Sequence, residues 1–144
     1  MFKLIYLIIC LLILSYIDVK SRAVPVWWLI VMGAVIPVAY VCDYTVCGER
    51  IDYKQLVIAI IIAITFVLLS VLTSMIGEAD GIVIGYVCIL SNVYIAIAAI
   101  IISFVILAAS GGVLILLKRA RLKSALPYMP FLTSAYVLTI ILGR

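Results

Sequence analysis

The sequence predicts an all-α, polytopic membrane protein with six transmembrane helices, the fourth of them short, forming a single domain over residues 1–144. Three observations carry that prediction. Apolar residues make up 69% of the chain and charged residues 11%, with a mean hydropathy of +1.49; soluble domains are about half apolar and about a quarter charged. The apolar residues fall into runs near the length of about 20 residues that a helix needs to cross a bilayer. The charges gather in the short segments between those runs. This composition excludes a soluble enzyme, a disordered chain and a nucleic-acid module, because the net charge of +4 is spread thinly, with no basic arm to neutralise phosphates. The expected surroundings are a lipid bilayer, and no nucleic acid.

The first helix is expected over Phe2 to Ile17, interrupted only by Lys3 and Ser15. The second runs from Val24 to Cys42 and opens on Trp27 and Trp28, aromatics suited to a membrane interface. A polar loop, Asp43 to Lys54, follows and holds Asp43, Glu49 and Asp52 beside Arg50 and Lys54; these acids read as solvated. The third span is Gln55 to Ile76. From Gly81 to Leu117 the chain is too long for one crossing and slightly short for two, and Ser91-Asn92 is its only polar break. A short fourth helix, about Asp80 to Leu90, and a full fifth from Val93 follow from that break. At 1.5 Å per residue the fourth helix cannot cross the whole hydrocarbon layer. A basic loop, Lys118 to Lys123, precedes the last helix, Ala125 to Leu142, which carries Pro127 and Pro130 in its opening turns.

Six crossings place both termini on one side. The loops opposite carry Lys20, Arg22, Lys118, Arg119, Arg121 and Lys123, and positive charge marks the cytoplasmic face. Both termini are therefore expected outside and the loops after helices one, three and five inside, in the inner membrane of the cell. No small-x-small site follows the first apolar run and no lipidation signal precedes Cys10, so the first helix is expected to be retained. Cys42 and Cys47 could form a disulfide in an oxidising compartment. Cys10 and Cys88 read as small apolar fillers, and Ser110-Gly111-Gly112 as a site of close helix packing.

Two acids lie where a solvated loop does not explain them. Asp18 ends the first helix and Asp80 opens the fourth, and the topology brings both to one membrane face. Such a pair could share a proton, one carboxylate activating water while the other protonates a carbonyl oxygen. That chemistry needs neither metal nor cofactor, and none is expected in a chain without a single His. The plainer reading is that Asp18 pairs with Lys20 or Arg22 and that Asp80 caps its helix.

The segments around these acids carry a resemblance. Asp18 is followed after five residues by Val24-Pro25-Val26, Asp80 closes Gly77-Glu78-Ala79-Asp80, and a third block reads Pro127-Tyr128-Met129-Pro130-Phe131-Leu132. In spacing and order these blocks resemble the motifs of the type IV prepilin peptidases, membrane-embedded GxGD aspartyl proteases. Val26 stands where that family usually has Asn, Ala79 replaces the inner Gly, and Ile82 stands where a Lys is often found. The resemblance implies an endopeptidase whose catalytic residues are Asp18 and Asp80, cutting the leader from a prepilin or pseudopilin-like protein at the cytoplasmic face, as in type IV pilus and protein-secretion systems. It implies substrate contacts at Gly77, Glu78, Ala79, Gly81 and Pro25, with Glu78 meeting the basic residues of the leader. The five residues from Val19 to Ala23 leave no room for the methyltransferase segment of longer relatives. Ala79 would resist a left-handed conformation, which Gly81 is expected to supply. Two other functions stand beside this one: a small transporter using the two acids as proton or cation sites, and a non-catalytic assembly subunit.

Overall fold

The computed structural model describes residues 2–21, 24–48, 52–73, 77–116 and 127–143. Among them there are six helices and no strand: α1 (Phe2–Ser21), α2 (Val26–Cys47), α3 (Tyr53–Thr73), α4 (Glu78–Leu90), α5 (Val93–Leu116) and α6 (Met129–Leu142). Four of them, α1, α2, α3 and α5, are long and apolar enough to cross a membrane. At 1.5 Å per residue the 13 residues of α4 and the 14 of α6 reach only about 20 Å. The shortness of α4 matches the sequence expectation. α6 is shorter than expected, since Pro127 and Tyr128 precede its first turn, with Pro130 in that turn where a proline costs no hydrogen bond.

Cross-helix hydrogen bonds fix the helix directions. The amides of Phe2 and Lys3 donate to Asp43 near the end of α2, and the amide of Met129 donates to Asp18 near the end of α1. Both α2 and α6 are thus antiparallel to α1. α3 and α4 are antiparallel as well, because Gly81 lies against Ser70 while Gly85 lies against Ala63. These two glycines, one turn apart on α4, let it approach α3 closely, as small residues do between membrane helices. A Cβ on Gly81 would stand 2.5 Å from the Ser70 Oγ and 3.2 Å from the Phe66 carbonyl oxygen. The core joins Leu7, Leu11 and Leu14 of α1 to Ile84 and Val87 of α4 and to Leu132 and Tyr136 of α6. Tyrosine hydroxyls dock α2: Tyr6 donates to the Met32 carbonyl, Tyr86 to that of Leu29, and Tyr40 to that of Ile89 in α4.

Several expectations need correction. Asp43 does not lie in a solvated loop. α2 continues to Cys47 and stops at Gly48, whose φ of 64° suits glycine. Asp43 is therefore helical and 1% exposed, accepting the first two described amides of α1 at 2.7 and 3.0 Å. The physical reason is that the opening of α1 offers donors with no partner inside the helix, and a carboxylate on the neighbouring helix satisfies them. Cys42 keeps a free thiol, and the side chain of Cys47, the expected partner, lies outside those described. A Cβ at Gly112 would meet nothing within 4 Å, so this glycine does not serve close packing. Cys88, by contrast, is buried in the core, and Cys10 packs against it. The basic loop Lys118–Lys123, Arg22, Glu49, Arg50, Ile76 and the expected helix start at Ala125 lie outside the described residues.

Candidate active site

Asp18 sits in the last turn of α1 and Asp80 in the first turn of α4. The helix directions bring them to one end of the bundle, close enough for the charge on Asp18 to act on Asp80. Asp18 is 7% exposed and Asp80 is half-buried. Each is held by a backbone donor. The Asp18 Oδ2 accepts the amide of Met129 at 3.1 Å, one of the unpaired donors at the opening of α6. The Asp80 carboxylate turns back to the amide of Gly77, the return contact that a third-position acid makes to a helix N-cap. Among the described residues no cation pairs with Asp18. A charge on Asp18 makes a charge on Asp80 more costly.

The third sequence block completes the site. Tyr128, immediately before α6, is buried and also feels the charge of Asp80. Its hydroxyl lies 2.9 Å from the Ser103 Oγ, and Ser103 donates its own proton to the Ile100 carbonyl at 2.7 Å. Tyr128 must therefore be the donor in its bond to Ser103. Its ring packs on Phe104 with centroids 5.5 Å apart. Residues 128 and 129 thus connect the Asp18 carboxylate to Ser103 of α5. Sequence reasoning did not assign Tyr128 or Ser103 to the site; the signal present was a serine in the middle of the apolar run of α5, which that pattern alone does not connect to position 128.

The remaining predicted residues divide. Gly77 is the N-cap of α4 with φ −57° and ψ 139°, a conformation open to any residue. Its lack of a side chain matters for space instead, since a Cβ there would stand 2.9 Å from the Asp80 Oδ2. Ala79 is helical, so alanine fits and no left-handed backbone is needed. Gly81 is buried and helical and packs against α3; it supplies no left-handed freedom. Glu78 is exposed, but residues two apart on a helix point to different faces, so its side chain leaves from a different face than that of Asp80. Pro25 is exposed at the start of α2. Among the described residues no group of three metal-ligating side chains comes together.

Asp18 and Asp80 border neither the cavity of about 720 Å³ at the opposite end of the bundle nor the apolar one of about 270 Å³ between α3 and α4. Comparison with protein-family models, curated proteins and solved structures finds no match for this chain.

Proposed function

We propose that the chain is a membrane-embedded aspartyl endopeptidase that removes the leader peptide of a type IV prepilin-like protein at the cytoplasmic face, with Asp18 and Asp80 activating water. The observation that supports this most is the meeting of the two acids from distant parts of the sequence at one end of the bundle, each held by a backbone amide. In this reading all six helices cross or enter the membrane, both termini lie outside, and the carboxylates face the cytoplasm. In this reading one carboxylate acts as base toward water while the other protonates the scissile carbonyl oxygen. Exposed Glu78, two residues before Asp80, meets the basic residues of the leader in this reading without entering the chemistry.

A second reading has one observation in its favour. Asp18 and Asp80 each do a structural task, closing the openings of α6 and α4, which a non-catalytic assembly subunit would also need. Co-expression with a prepilin-like substrate separates the two readings. Proteolysis gives a mobility shift with the wild type and none with Asp18→Asn or Asp80→Asn; an assembly subunit gives no shift with any of them.

A further inference from the structure

Two surfaces of the molecule carry matching patterns. Asp18 and Asp80 meet at one end of the bundle, so Lys20 of α1 and Glu78 of α4, each two residues nearer that end, lie at a similar depth. Back along α1 from Lys20, Tyr16, Ile13 and Ile9 follow at steps of four, three and four residues. Forward along α4 from Glu78, Ile82, Gly85 and Ile89 follow at the same steps. Such steps keep each set on one helix face. Each face is a stripe about 16 Å long with a charge at the same end, positive on α1 and negative on α4.

The stripes differ in relief. Ile9, Ile13 and Tyr16 stand out from α1, at 51%, 39% and 69% exposed, and the Lys20 ammonium folds back to 6.0 Å over the Tyr16 ring. The α4 stripe instead lines the apolar cavity of about 270 Å³, whose α3 side carries Ile64 and Leu68. At its floor a Cβ on Gly85 would stand 3.2 Å from that of Ala63, so two very small residues meet there and leave a groove. Glu78, one turn beyond Ile82, is exposed and has no ion pair among the described residues. α1 and α3 make no extensive contact with each other, so one copy can present ridge and groove at once. Helices in a bilayer associate through close approach at small residues and through polar pairs rather than through apolar area. Both are present here.

We propose that the groove between α3 and α4 receives α1 of a second copy of this chain. The two helices run antiparallel: Lys20 pairs with Glu78, Ile13 enters the groove over Gly85, and Tyr16 and Ile9 pack on Ile82 and Ile89. Copies rotated about the membrane normal keep this direction and depth, and the head-to-tail contact closes into a ring. The inference does not depend on the reaction proposed above, because the groove residues lie about 140–200° around α4 from Asp80. A carboxylate that accepts from Lys20 also keeps lone pairs for a basic leader.

The mass of the full chain in a mild detergent, followed by size-exclusion chromatography with light scattering, tests the proposal. Wild type is expected above the monomer mass. Lys20→Glu or Glu78→Lys alone sets like charges opposite each other and should weaken association roughly tenfold or more. Both positions are exposed, so each variant should fold, which circular dichroism checks. Mixing the two variants restores opposite charges between unlike copies, and a tag on one should then recover the other. A monomeric wild type overturns the proposal. So do single variants that associate as wild type does, which would leave the groove to lipid or to a helix of another protein, and so do two monomeric variants that stay apart when mixed.

Discussion

Replacing Asp43 by Ala is expected to destabilise the protein by roughly 2–3 kcal/mol. The carboxylate is nearly excluded from solvent, with 2% of its side chain exposed, and it accepts amides from Phe2 and Lys3 at 2.7 and 3.0 Å while facing the Lys3 ammonium at 3.9 Å. Hydrogen bonds to a charged group are worth about 1.5–3 kcal/mol each, and removing one partner leaves the other to be resolvated. The site lies at the end of the bundle, where water reaches the freed amides, so the sum of both bonds overstates the loss. The ion pair adds little at 3.9 Å. Asp43→Asn keeps one good acceptor and should cost about half as much. Unfolding of detergent-purified protein by sodium dodecyl sulfate, followed by circular dichroism, gives the comparison. An Asp43→Ala protein within about 0.5 kcal/mol of wild type, the range of an ordinary surface change, would show that Asp43 is solvated after all.

Other substitutions probe the packing and the site. Gly81→Ala should cost about 1–3 kcal/mol by the same unfolding assay, as overpacking does, and Ser70→Gly should recover part of that loss by removing the atoms at 2.5 and 2.7 Å. Gly112→Ala, with open space at its Cβ, should be neutral or stabilising by up to about 1 kcal/mol. Ala79→Gly should lower stability by up to about 1 kcal/mol and leave prepilin cleavage no faster, since position 79 is helical; a faster enzyme would mean that substrate needs a different backbone there. Tyr128→Phe should cost about 1 kcal/mol and slow cleavage, and Ser103→Ala in that background should slow it no further.

The distribution of apolar runs made the helices legible, including the short α4, because a polar Ser91-Asn92 break inside a long apolar stretch has few other meanings. The placing of Asp18 and Asp80 at one end of the bundle was legible too, since helices of alternating direction carry both there. Asp43 was not. A lone acid after an apolar run looks like the start of a loop, and only the neighbouring helix shows that its carboxylate has donors to serve. The role of Gly81 was misread for a related reason: a glycine beside a motif suggests backbone freedom, whereas its use here depends on Ser70 of a different helix. Tyr128 and Ser103 were hidden because their hydrogen bond joins segments whose pairing no local pattern records.

The central claim is that Asp18 and Asp80 form one titrating unit, and a double-mutant cycle on prepilin cleavage tests it most directly. Asparagine at position 18 can still present a carbonyl oxygen to the Met129 amide, so Asp18→Asn preserves the closing of α6 while removing proton exchange; Asp80→Asn does the same at α4. The rates of Asp18→Asn, Asp80→Asn and the double variant are measured against wild type in vesicles, with unfolding confirming that each is folded. The account predicts that each single change abolishes cleavage and that the double change is no worse, because groups acting as a unit are non-additive. A folded single variant that cleaves at close to the wild-type rate would contradict it.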